Sequence, residues 1–193
     1  QGKEYAGTIE TVSLIPIDHE LKPIAQLSSN QIKLPQRQAF GHKGSYGHVL
    51  IVGGHADMGG AVIMAAEAAF YAGAGKVSIV CDTKHHASIL ARSPNIMVRD
   101  INGFARDDIK ALIGQVDTVS FGMGLGRDEW AEGIYQDWIG ALVDSKIKLV
   151  LDADALWFLA LHPQKMHEQC FLTPHPGEAA KLLNTTVKEV ESD

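Results

Sequence analysis

The stretch Val49-Leu50-Ile51-Val52-Gly53-Gly54-His55-Ala56-Asp57-Met58-Gly59-Gly60-Ala61-Val62 decides the fold. Four consecutive apolar residues closed by a glycine pair read as a strand buried on both faces, since a solvated face would impose alternation with polar residues. From Met58 to Ala72 the chain is Ala-rich, and Gly73 and Gly75 follow at C-cap spacing, so this stretch reads as a helix. Lys76 to Cys81 (KVSIVC) is the next strand, and the three segments form a βαβ unit.

Downstream the same alternation continues. Helices are predicted near Lys84–Arg92 and Arg106–Gln115, over the amphipathic stretch Asp128–Ser145, and at Ala155–Leu161 and Glu178–Leu183. Strands are predicted around Ile96–Val98 and at Asp117–Phe121, Lys148–Leu151 and Cys170–Leu172. A helical pattern runs from Val187 to Asp193. Apolar strands alternating with helices predict an α/β fold of three layers, a mostly parallel sheet with helices on both faces. Upstream, Thr8 to Ile15 alternates polar with apolar residues as a half-buried strand does, and Pro16 ends it. Ser28 to His42 has linker composition, rich in Ser, Asn, Gln, Pro and Gly. A boundary near Leu34 therefore separates residues 1–34, the tail of a preceding domain plus a linker, from an α/β domain over residues 35–193.

The 193 residues carry 17 Lys+Arg against 23 Asp+Glu, a net charge of −6, with 46% hydrophobic content. That supports one globular core and excludes a disordered polymer. Excess acid without a basic patch argues against nucleic acid as a partner. The longest apolar stretch, Gly59 to Ala74, is interrupted by Glu67 and falls short of the roughly 20 residues of a membrane span, so no membrane partner is expected. Two separated cysteines, Cys81 and Cys170, and no opening charged-then-apolar leader fit a reducing cytoplasm. The chain opens at Gln1 and stops inside a helical pattern, so both ends look cut.

In open α/β sheets ligands bind beyond the carboxyl ends of the strands, so the residues following each strand matter most. Gly53 to Ala61 lacks both the GxGxxG spacing of dinucleotide sites and the Lys-Ser/Thr of a phosphate loop. Its free N–H groups at a helix start could meet an anion or a polar ligand edge, or Gly59 and Gly60 could simply allow close packing. Gly122-Met123-Gly124-Leu125-Gly126 places three glycines at alternate positions, which permits close backbone approach, and Asp128 reads as a helix N-cap. In Asp152-Ala153-Asp154, Asp154 reads as the cap of helix 155–161, and Asp152, leaving the strand directly, is the functional candidate. In Thr173-Pro174-His175-Pro176-Gly177-Glu178, two prolines stiffen the backbone around His175 and aim its imidazole, while Glu178 complements the helix dipole. The other eight histidines show no metal-ligand spacing and read as surface or packing residues. Both cysteines read as core.

Taken in order, Lys43-Gly44, Gly47-x-Val49-Leu50-Ile51-Val52-Gly53-Gly54, Gly60-Ala61, Ala72-Gly73-Ala74-Gly75, Gly122-x-Gly124-Leu125-Gly126, Leu151-Asp152-Ala153-Asp154-Ala155-Leu156 and Leu172-Thr173-Pro174-His175-Pro176-Gly177-Glu178 make the chain resemble the ADP/ATP-dependent NAD(P)H-hydrate dehydratases over residues 40–193. The resemblance implies a ribokinase-like fold and cofactor repair. Such enzymes phosphorylate the hydroxyl on the hydrated nicotinamide ring of NADH or NADPH, in the S epimer, using ADP or ATP. Phosphate then leaves where hydroxide would not. Mg²⁺ is the implied metal, offsetting charge on the transferring phosphoryl group. By motif match Ala61, Gly124 and His175 line the hydrated-nicotinamide site, and Asp152 lies near the phosphates, linked either to metal or to substrate.

Two positions depart from the pattern: Met123 stands where the family often has proline, and Trp157 where it often has asparagine. The first is expected to loosen the loop slightly, and the second puts in doubt the contact that the Asn makes. The family's general-base aspartate lies in a Gly-x-Gly-Asp motif that does not occur before Asp193; in Gly124-Leu125-Gly126-Arg127-Asp128 the acid comes one residue late. The expectation is a catalytically dead piece of a longer homo-oligomeric enzyme, with an epimerase domain ahead of it. The alternatives are a ribokinase-like kinase of a vitamin or sugar alcohol, and a non-catalytic binding module.

Overall fold

A computed structural model describes residues 36–192. The chain falls into two units, Gln1–Gln38 and Ala39–Asp193, and every described strand and helix belongs to the second. The strand expected at Thr8–Ile15, the boundary near Leu34 and most of the linker lie outside the described residues.

Six strands form one sheet: β1 (His48–Val52), β2 (Lys76–Cys81), β3 (Met97–Asp100), β4 (Thr118–Phe121), β5 (Lys148–Leu151) and β6 (Cys170–Leu172). Their order is β3-β2-β1-β4-β5-β6 and every neighbouring pair is parallel. Seven α-helices follow the strands: α1 (Gly60–Tyr71), α2 (His86–Arg92), α3 (Arg106–Ile113), α4 (Glu129–Ser145), α5 (Asp154–Leu161), α6 (Pro176–Leu182) and α7 (Val187–Ser192). The expected alternation is thus present from β1 onward, with the strands and helices predicted after Val49 each found within a few residues. Helix α6 starts two residues earlier than predicted, because His175 caps it and Pro176 occupies its first turn, where a missing N–H costs nothing.

Parallel strands need cover on both faces, and two apolar clusters supply it. On one face Val62 and Ala66 of α1 and Ile89 of α2 pack on Ile51, Val77 and Ile79. On the other, Ile109 and Leu112 of α3, Tyr135, Trp138 and Leu142 of α4, and Leu156 and Phe158 of α5 pack on Leu50, Val119, Phe121, Leu149 and Leu151. Phe121, Tyr135 and Phe158 stack in sequence, with ring centroids 5.9 and 5.1 Å apart. Cys81 is fully buried, and burial pushes its thiol pKa up to about 12, so it belongs to the core. Cys170 is half-buried at β6, with its thiol also pushed up by burial.

Candidate active site

The strand order reverses between β1 and β4: the chain leaves β1 toward β2 and leaves β4 toward β5 on the opposite side. Loops diverge at such a switch point and open a crevice past the carboxyl ends of the strands. The glycine turn after β1 and the glycine loop after β4 meet at this point. Gly54 N–H donates to the Met123 carbonyl at 3.0 Å and His55 N–H to the Gly124 carbonyl at 2.6 Å. Gly124 has φ +58°, and a Cβ there would stand 2.5 Å from the Met58 carbonyl oxygen, so only glycine lets the loops close. Met123, in the place of the family's proline, is buried in the apolar cluster beneath α1 and anchors the loop there.

Ala61 lies in the first turn of α1, half-buried, directly after this junction. The packing explanation for the preceding glycines divides between them. A Cβ on Gly59 would collide with the His85 ring, whereas one on Gly60 would meet nothing within 4 Å.

His55, whose sequence context suggests only a surface or packing role, is engaged on every side. Its Nδ1 accepts from Asp57 N–H at 3.3 Å, its Nε2 stands 3.3 Å from Asp128 Oδ2, and its ring lies edge-on to Trp130 at 5.1 Å. Its carbonyl is 2.8 Å from His85 Nε2. His55 therefore clasps the first loop to the start of α4. Asp128 is the N-cap predicted for it, its Oδ1 accepting from Ala131 N–H at 2.9 Å, and it serves both purposes at once. A single histidine in a glycine turn carries no sequence signal for this, because its partner lies 73 residues away.

At the end of β5 the structure corrects the reading of Asp154. It does not cap α5: the cap position is Ala153, and Asp154 is the first helical residue and is buried. Its Oδ2 accepts from Gly126 N–H at 2.9 Å and its Oδ1 from Arg127 Nε at 2.7 Å, tying α5 to the glycine loop. The physical reason is Ala153, at φ 49° and ψ −115° within a turn closed by Ala155 N–H on the Asp152 carbonyl at 3.1 Å. That is the first central position of a type II′ turn, where glycine dominates, and it turns the two carboxylates to different partners. Asp152 faces β6, where its Oδ1 accepts from Thr173 Oγ1 at 2.9 Å.

His175 is braced, but by capping as much as by its prolines. Its Nδ1 accepts from Gly177 N–H at 3.0 Å, its own N–H donates to Glu178 Oε2 at 3.0 Å, and its Nε2 stands 3.4 Å from Glu178 Oε1. Glu178 thus acts through this reciprocal cap as well as through the helix dipole. A cleft of about 140 Å³ opens beside His175, lined by Arg127, Leu156, Trp157, Gly177, Glu178 and Lys181.

Of the four predicted site residues, Gly124 is bonded into the turn that precedes Ala61, and Asp152 is bonded to Thr173, two residues before His175. All four follow the carboxyl ends of β1, β4, β5 and β6, which are consecutive in the sheet. The cleft at His175 is lined by Arg127, not by Gly124 or Ala61. Among the described residues no group of three or more His, Cys, Asp or Glu side chains is placed to hold a metal, and no helix is long and apolar enough to cross a membrane.

The sequence profile of the NAD(P)H-hydrate dehydratases matches residues 49–193. The bifunctional NAD(P)H-hydrate repair enzyme of Coxiella burnetii is 42% identical over 160 residues, covering 83% of this chain and 31% of that enzyme. A ribokinase-like superfamily protein from Enterococcus faecalis superposes with a TM-score of 0.72 at 28% identity, over 79% of this chain and 54% of its own. The ADP/ATP-dependent NAD(P)H-hydrate dehydratase of Bacillus subtilis, co-crystallised with ATP and Mg²⁺, superposes at 0.67 and 27% identity, over 83% of this chain and 55% of its own. The chain thus spans about a third of the bifunctional relative and a little over half of each solved structure.

Proposed function

Because the chain belongs to the NAD(P)H-hydrate dehydratase family, we propose that it supplies the substrate-side wall of an enzyme that repairs hydrated NADH and NADPH, acting on the S epimer. A phosphoryl group from ADP or ATP is placed on the ring hydroxyl, and elimination of phosphate restores the dihydronicotinamide. The observation that carries this reading is the junction of two glycine loops at the β1/β4 switch point, within the matched region. A flat ring needs backbone close to its faces, and the open space over Gly60 beside Ala61 provides an approach without side-chain interference. Gly124, locked against the first loop, and His175, held in its cap, bound the site from the β4 and β6 sides.

The histidines at this rim are engaged structurally. His55 uses both ring nitrogens and His175 uses Nδ1 to cap α6. The family resemblance implies an aspartate in a Gly-x-Gly-Asp motif as the group that takes the proton from the ring hydroxyl, and residues 1–193 do not contain that motif. Mg²⁺ in such sites keeps waters and phosphate oxygens as ligands and takes one or two carboxylates. Asp152 fits that need, since among the described residues only its Oδ1 accepts a hydrogen bond; a bound ion would neutralise phosphoryl charge there. Two free cysteines, one deeply buried, agree with a reducing cytoplasm as the location.

Incubation of the intact protein with hydrated NADPH and ADP tests the reading. The expected outcome is return of dihydronicotinamide absorbance with one phosphate released per turnover. Accumulation of a stable phosphorylated product would instead establish a kinase, and binding without nucleotide-driven conversion a binding module.

A further inference from the structure

Trp157 occupies the helix position where the family often has asparagine, and it carries two cations on its indole. Arg127 Cζ lies 4.4 Å and Lys181 Nζ 3.4 Å from the ring centroid. Both line the cleft that also contains His175. Arg127 donates its Nε to Asp154, and that bond fixes the guanidinium in place while its two terminal nitrogens have no protein acceptor among the described residues. Lys181 has no carboxylate partner among the described residues. Glu178, one helical turn before it, is committed to His175 through both oxygens.

Two like charges held against one aromatic ring repel each other, and an anion in the cleft that both line offsets that cost while filling the vacant donors. The cleft's volume of about 140 Å³ leaves room for a phosphate group between its lining side chains. We infer that the Arg127–Trp157–Lys181 cleft is a phosphate subsite. It takes a phosphate of a nucleotide bound at this rim, with Arg127 as the fixed fork, Lys181 as the movable charge and Trp157 holding both apart. The inference rests on the proposed function and deepens it: the subsite adjoins His175, so the phosphate belongs either to the nicotinamide half of the substrate or to the ADP donor.

Titration calorimetry on the intact protein with nicotinamide riboside, nicotinamide mononucleotide and ADP separates these sources. In Lys181→Gln, affinity for one of the two phosphate-bearing ligands is expected to fall about tenfold or more, the worth of one charge-assisted hydrogen bond, with riboside binding unchanged. Lys181→Arg is expected to restore it. A loss on the mononucleotide places the substrate's phosphate in the cleft; a loss on ADP places the donor's. In Trp157→Phe the tryptophan fluorescence change on adding the phosphate ligand is expected to disappear. The inference is overturned if Lys181→Gln binds both phosphate ligands like the wild type, or if the wild type binds neither. Wild-type turnover of hydrated NADPH, measured alongside, tells the two failures apart. Turnover with an unaffected Lys181→Gln sinks the subsite alone, and absence of turnover sinks the functional reading.

Discussion

Asp154 offers the sharpest test of how the site is held together. Its carboxylate is 8% exposed as a residue and accepts two bonds, from Gly126 N–H and from Arg127 Nε. Replacing it by alanine leaves the buried Gly126 N–H without an acceptor, which costs about 1–3 kcal/mol. The Arg127 side chain is 47% exposed, so solvent screens its ion pair and the loss there is at most about 1 kcal/mol. The sum is about 1–4 kcal/mol for Asp154→Ala, against less than about 1 kcal/mol for Arg127→Gln, which keeps the Gly126 bond and removes the screened pair and the exposed contact with Trp157. Urea unfolding followed by fluorescence reads both. At a slope of about 2 kcal/mol per molar, Asp154→Ala shifts the midpoint down by about 0.5–2 M with the slope unchanged, and Arg127→Gln by less than about 0.5 M. Equal midpoints for the two variants would refute the claim that the buried backbone bond, not the ion pair, anchors the glycine loop.

Ala153→Gly relieves a left-handed backbone and is expected to raise stability by about 1 kcal/mol in the same urea assay, while loosening the turn that separates Asp152 from Asp154. Gly60→Ala, with open space around its Cβ, is expected to keep or raise stability by up to about 1 kcal/mol yet weaken dinucleotide binding by calorimetry. Gly122→Ala, with φ +118° and the Asp152 carbonyl 2.2 Å from the new Cβ, is expected to destabilise strongly by thermal unfolding. His48, in β1 and 2.8 Å from Ser78 Oγ, has its pKa lowered from 6.5 first by burial and then by Lys76. Just below pH 6.5 the unfolded chain then binds more protons than the folded one, so stability falls as the pH drops through that window. His48→Gln is expected to flatten this part of the pH–stability curve.

Local pattern is enough for the elements. An unbroken run such as Val49–Val52 closed by a glycine pair reads as a doubly buried strand, and glycines at 73 and 75 stop a helix. These are short-range constraints of backbone sterics and of which faces must leave water, so they can be read without knowing any neighbour. The glycine loops are likewise visible as places where side chains would obstruct, although what they avoid is mostly the protein's own backbone: Met58 against Gly124, and Asp152 against Gly122. Partnership across the fold is not visible. Asp154 looks like a cap because caps are local, but its acceptor oxygens serve a loop 28 residues earlier. His55 looks idle because Asp128 and Trp130 come to it only through the β1/β4 adjacency. Trp157 reads as a departure from pattern, and its two cations arrive from a separate loop and a separate helix. The order of residues determined which backbone segments form and which faces are apolar; which charges meet was decided only when the sheet brought distant strand ends side by side, since electrostatic and hydrogen-bond energies depend on distances that the chain's sequence does not contain.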